Sequence, residues 1–106
     1  MKRIDFKTLL KEIDRYLKYL HADESVIFKT YKRDRYILIR ATVNNTFEVI
    51  EHGFNNQTYQ GSYAEVKKLL HASVQVEFPR SNMAWMQYYK NTVKNKSNEG
   101  RQKSLF

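Results

Sequence analysis

Residues 25–52 carry three runs of β-branched, aromatic and apolar residues, separated by Asp34-Arg35 and by Asn44-Asn45. Each run alternates. Val26, Phe28, Thr30 and Lys32 interleave with Ile27, Lys29 and Tyr31. Ile37, Ile39, Ala41 and Val43 interleave with Tyr36, Leu38, Arg40 and Thr42. Phe47, Val49 and Glu51 interleave with Glu48, Ile50 and His52. Successive side chains of a strand point to opposite faces, so a period of two marks strands buried on one side. Three such runs joined by short polar turns predict an antiparallel meander. One face of that sheet should pack on a helix and the other should be amphipathic.

The helix is supplied upstream. Over Ile4–Leu20 the apolar residues fall at Phe6, Leu9, Leu10, Ile13, Tyr16, Leu17 and Leu20, the spacing of one helical face, and Asp5 stands at the N-cap position. Lys7, Lys11, Asp14, Arg15 and Lys18 occupy the other side, and their mixed signs suit a solvated face rather than a membrane-binding one.

After the meander, residues 53–57 read as a turn and Thr58–Gln60 as a brief edge strand. A second, short helix follows, opened by a Ser62/Glu65 capping box and ending near His71, with Tyr63, Val66, Leu69 and Leu70 as its buried stripe. Alternation at Val74, Val76 and Phe78 predicts a strand over 73–78, and Pro79-Arg80-Ser81-Asn82 a turn or helix entry. We read 83–93 as a helix capped by Ser81, although Trp85, Tyr88 and Tyr89 equally suit a hairpin strand. The expected architecture is therefore α+β: a single domain over 1–90, with an antiparallel sheet of about four strands and two to three helices. The order is α-β-β-β-α-β-(α or β), and a flexible basic tail follows over 91–106.

Composition narrows the function. The chain has 106 residues and a net charge of +8, from 19 basic and 11 acidic side chains, a balance that favours polyanionic partners. It has no cysteine, so disulfides, thiolate metal sites and a cysteine nucleophile are excluded. With no apolar run of about 18 residues and no apolar stretch after Met1-Lys2-Arg3, a cytoplasmic protein without membrane contact is expected. The three histidines lack ligand spacing, no Gly-rich phosphate loop or Gly-x-Ser-x-Gly elbow is present, and Glu48, Glu51 and Glu77, which could pair in space, read as solvated surface carboxylates. No enzymatic activity, cofactor, metal or small-molecule substrate is expected.

The candidate binding residues are of two kinds. Lys29, Tyr31, Lys32, Arg33, Arg35, Tyr36 and Arg40 interleave cations with aromatics around the first hairpin, a pattern that can track phosphates while rings stack on unpaired bases. Trp85, Tyr88 and Tyr89 form a second aromatic group suited to core packing or to a partner-protein hot spot.

The last residues are Arg101-Gln102-Lys103-Ser104-Leu105-Phe106. Gln102, Leu105 and Phe106 make this segment resemble the bacterial sliding-clamp-binding motif, Gln-x-x-Leu-Phe, over five residues; Lys103 departs from the small or aliphatic residue often found second. The resemblance implies a Leu-Phe pair filling an apolar pocket on a clamp, with the Gln amide adding directional hydrogen bonds. Together these features point to a small basic non-enzymatic accessory protein of DNA replication or repair, from a bacterium, phage or mobile element. It would bind single-stranded DNA or other nucleic acid, a replication protein such as a polymerase or sliding clamp, or both. The alternative is a phage or plasmid inhibitor or adaptor that captures a host protein through Trp85, Tyr88, Tyr89 and the tail without touching nucleic acid.

Overall fold

The computed structural model describes residues 2–78 and 83–90. The expected tail over 91–106, the Ser81 cap and the motif at Gln102, Leu105 and Phe106 lie outside these residues. In chain order the elements are β1 (Lys2–Asp5), α1 (Phe6–Tyr19), β2 (Ser25–Thr30), β3 (Tyr36–Ala41), β4 (Thr46–His52), β5 (Asn56–Ser62), α2 (Tyr63–Glu77) and β6 (Met83–Tyr89). The six strands form one antiparallel sheet in the order β1-β6-β2-β3-β4-β5.

The meander forms as its alternation predicts. Val26, Phe28, Ile37, Ile39, Ala41, Phe47 and Val49 point to one face and are buried there against Leu9, Ile13 and Leu17 of α1 and Val66, Leu70 and Val74 of α2. Asn44 and Asn45 take φ values of 62° and 58° in the β3–β4 turn, the left-handed conformation that Asn tolerates best after Gly. The Ser62/Glu65 capping box is present, with the Ser62 N–H donating to Glu65 Oε1 at 2.9 Å.

The architecture is α+β with one antiparallel sheet, but it has six strands and two helices rather than about four strands and two to three helices. Three expectations are corrected. Ile4, expected to open the first helix, belongs instead to the strand Lys2–Asp5. Asp5 does sit at the N-cap, without a side-chain capping bond, and accepts at its backbone oxygen from Thr8 Oγ1 at 2.9 Å. Residues 73–77 continue α2 instead of forming a strand. Their alternation competes with a four-residue recurrence at Val66, Leu70, Val74 and Phe78, all fully buried, and the recurrence wins because it fits the sheet. Residues 83–89 are strand β6 rather than a helix. Ala84 and Met86 are buried at a period of two, and pairing on both sides, with β1 and β2, satisfies the backbone. Thr58–Gln60 is the middle of a seven-residue edge strand. Leu69, expected in the buried stripe of α2, is 44% exposed.

Both helices lie on one face: α1 against β1 and β6, α2 against β4 and β5. Among the described residues no helix covers the other face, and none is long and apolar enough to cross a membrane.

Candidate nucleic-acid interface

The helix-free face is set by alternation. Because Ala84 and Met86 are buried on the helix side, Trp85 projects to the open one, and the sheet register carries that side across the molecule. Arg3 lies opposite Trp85, Trp85 opposite Lys29, Lys29 opposite Tyr36, and Tyr36 opposite His52. Cation and aromatic alternate from β1 to β3 and His52 adds a further ring on β4, so the row crosses five adjacent strands, a span of about 19 Å at roughly 4.8 Å per strand. The next row holds Gln87, Ile27, Leu38 and Ile50; Ile27 and Leu38 are buried even on this side.

Two ring stacks stand in the first row, on either side of Lys29. In one, Tyr31 stacks on Trp85 with centroids 6.0 Å apart, and the Arg33 guanidinium lies 4.5 Å from the Trp85 ring centre. The indole N–H donates to the Tyr31 carbonyl at 2.9 Å and ties the turn after β2 to β6. Arg33 holds φ at 63°, a left-handed conformation unusual for Arg, in the turn closed by its N–H donating to the Thr30 carbonyl. In the other stack, Tyr36 and His52 lie 5.0 Å apart and nearly parallel. Tyr31 is more than half exposed, so it offers a ring to solvent.

The structure divides the residues singled out in the sequence. Lys29 and Tyr36 share the row with Trp85, Tyr31 and Arg33 join it through the stack, and Lys32 is exposed in the adjoining turn. Arg40 is on the same face but four residues further along β3, where Glu48 engages it at 2.8 Å. Arg35 turns away: it donates to the Glu77 carbonyl at 3.1 Å and lies over the Phe54 ring. The second aromatic group splits. Trp85 and Tyr89 point to the open face, while Tyr88 points to the helix side and stacks on Tyr16 of α1 at 6.0 Å. Arg3 and His52 were not singled out; the strand order brings Arg3 of β1 into the row, and the register of the β3–β4 hairpin brings His52.

A second constellation corrects the reading of the carboxylates as solvated. Glu51 and Glu77 are 1% and 0% exposed, on the helix side of the sheet. Glu77 Oε1 and Oε2 accept from the backbone N–H groups of Phe54 and Asn55 at 2.9 and 3.0 Å, so the end of α2 holds the β4–β5 turn. A Cβ at Gly53 would run into the Glu77 carboxyl, which is why the turn begins with glycine there. Glu51 Oε1 accepts from Gln57 Nε2 and Ser73 Oγ, each at 2.7 Å. Glu51 Oε2 is buried and has no hydrogen-bond partner among the described residues. Burial, then the hydrogen bond to Glu51, pushes the Glu77 carboxyl above the usual range. Burial opposes ionisation of Glu51 as well, but hydrogen bonds from Glu77, Gln57 and Ser73 outweigh it and hold Glu51 low. The pair is thus split, Glu77 shifted toward its protonated form and Glu51 toward its ionised form. Closed to solvent, it braces the turn. Glu48, the third of these residues, faces the open side and pairs with Arg40.

Among the described residues no group of three or more His, Cys, Asp or Glu side chains is placed to hold a metal ion. No protein-family model, curated protein or solved structure matches the chain.

Proposed function

We propose that this protein is a basic, non-enzymatic accessory factor of DNA replication or repair that binds single-stranded nucleic acid across its helix-free sheet face. The observation that carries the reading is the row Arg3–Trp85–Lys29–Tyr36–His52, with Tyr31 and Arg33 stacked at Trp85. A strand laid along the row meets cations at the spacing of the sheet and rings between them. Unpaired bases stack on the exposed Tyr31 ring and beside Tyr36–His52, and Arg3, Lys29, Lys32 and Arg33 face the phosphates. Each stacked base is worth about 1–3 kcal/mol and tolerates any sequence, because every base has a π-face. In this proposal Gln102, Leu105 and Phe106 tether the protein to a sliding clamp or polymerase partner, which raises the local concentration of the weaker contact.

The experiment is a fluorescence-anisotropy titration of labelled oligothymidylate at several salt concentrations. Binding should weaken with a log–log slope of roughly −0.7 per phosphate contacted, so about −3 if the four cations each reach one. No binding at low salt removes the reading. Calorimetric titration of a bacterial clamp with the intact chain and with a Leu105→Ala/Phe106→Ala variant tests the tether. A clamp or host-protein complex without any salt-sensitive oligonucleotide binding would favour the inhibitor or adaptor class.

A further inference from the structure

The flank of the molecule formed by β5 and the outer side of α2 carries two features that the nucleic-acid reading does not use. The first is the strand itself. No described strand pairs with the outer edge of β5, which runs seven residues, Asn-Gln-Thr-Tyr-Gln-Gly-Ser, with no charge and no proline. Sheet edges exposed to solvent are ordinarily blunted by lysine, proline, bulges or shortness, and this one has none of those protections in its sequence.

The second is a stripe on α2. Successive helical residues are about 100° apart, which fixes the directions. Val66, Leu70 and Val74 face the sheet. Lys67 and His71 face α1, where both reach Asp14, at 3.9 and 3.3 Å. Leu69, Ala72 and Val76 fall on the opposite flank, and all three are exposed. Since α1 lies toward β1 and α2 lies over β4 and β5, the flank opposite α1 is the one above the free β5 edge.

We propose that this composite surface pairs with a second copy of the same chain. The two β5 strands join antiparallel into a twelve-stranded sheet, and the two α2 helices pack through Leu69, Ala72 and Val76. Two-fold pairing needs a self-complementary surface, with the strand centre and the helix centre on one axis. Both conditions are met. From Tyr59 to Ser62 the chain travels about 10 Å outward along β5, and from Tyr63 to Leu70 about 10 Å back along α2, so the two midpoints lie within about one helical turn of each other. The Tyr59 hydroxyl, 3.2 Å from Ser73 Oγ, confirms that the middle of β5 lies beneath the second half of α2. An axis through Tyr59 sets Thr58 against Gln60 and Gln57 against Gly61, with no charged residue opposite another. A helix seated between β4 and β5 lies about 2.4 Å inside the edge strand. Two copies joined at one strand spacing then bring their helices to roughly 10 Å, a packing distance for small and medium apolar side chains.

The test is sedimentation equilibrium of the full chain without nucleic acid, which separates this proposal from the binding reading. Wild-type protein should show twice the chain mass, with dissociation on dilution. Leu69→Lys/Val76→Lys places charges on the helix stripe, and Thr58→Lys/Gln60→Lys sets like charges opposite each other across the strand pair. All four residues are exposed, so circular dichroism should be unchanged. Each double variant should raise the dimer dissociation constant at least about tenfold, whereas Gln75→Lys, on the outward side of α2, should not. A monomer mass at every wild-type concentration overturns the proposal. So does a dimer that survives either double variant, since strand and helix are then not joined in one interface.

Discussion

Glu51 and Glu77 are both buried on the helix side of the sheet, where burial and then the neighbouring Glu51 raise the Glu77 carboxyl, and Glu77 spends both of its oxygens on the backbone of the β4–β5 turn. The folded state therefore binds more protons than the unfolded one wherever pH lies between the unfolded carboxyl value and the raised value of Glu77. Stability conferred by this group is fully present below the ordinary carboxylate range and is lost as pH rises through the raised value. Replacing Glu51 with Gln supplies an N–H that can donate to an ionised Glu77, which already accepts two backbone N–H groups. Thermal melts from pH 4 to 8 should show wild-type stability declining as Glu77 ionises, and a Glu51→Gln variant showing a shallower decline, since burial still raises Glu77. Equal slopes in the two proteins would mean that Glu51 does not contribute to raising Glu77.

Tyr31 and Trp85 separate binding from stability. The Tyr31 ring stands outside, against an indole that is itself anchored by its N–H to the Tyr31 carbonyl, a bond that survives truncation of the tyrosine. A Tyr31→Ala variant should change unfolding free energy by no more than about 0.5 kcal/mol. If a base stacks there, oligothymidylate affinity should fall by about 1–3 kcal/mol, one to two powers of ten. Unchanged affinity in a folded variant would remove Tyr31 from the interface.

Where period and burial agree in the sequence, the structure follows. Ile37, Ile39, Phe47 and Val49 announce their face because only one side of the meander meets helices. The departures are places where two periods overlap or a partner is remote. Val74 and Phe78 satisfy both a strand alternation and a helical recurrence, and only the sheet beneath chooses between them. Lys2–Asp5 is too short to show a period; it becomes a strand because β6 offers an edge to pair with. The cation–aromatic row is half legible. Lys29, Tyr36 and His52 are neighbours across the local hairpins of the meander, but Arg3 and Trp85 reach the row only through the strand order and come from opposite ends of the described chain. Glu51 and Glu77 look like surface carboxylates because a sequence does not show that Gln57, Ser73 and the backbone of the β4–β5 turn will supply their donors.

The start of α2 offers a direct energetic check. Ser62 and Glu65 each satisfy a backbone N–H that the first helical turn leaves free. Ser62→Ala should cost about 1 kcal/mol in urea unfolding, with the transition slope unchanged. Gly at the same position should cost only a few tenths. A Ser62→Ala variant as stable as wild type would mean that the tertiary packing of Val66 and Leu70 alone holds this end of the helix.

Two cations on the same face should behave differently toward a polyanion. Lys29 stands between the two ring stacks with no ion-pair partner among the described salt bridges, whereas Arg40 is held by Glu48 at 2.8 Å and lies 4.0 Å from Asp23. A phosphate approaching Arg40 must displace a carboxylate or accept its repulsion, so the arginine contributes little net attraction. Lys29→Ala should weaken oligothymidylate binding at low salt and flatten the log–log salt slope by roughly 0.7, the contribution of one lost phosphate contact. Arg40→Ala should leave the slope within error of wild type, and Glu48→Gln, which frees the guanidinium, should steepen it. The three slopes form one measurement series. If Arg40→Ala flattens the slope while Lys29→Ala does not, the nucleic acid runs along the Arg40–Glu48 row instead of the Trp85–Lys29–Tyr36 row.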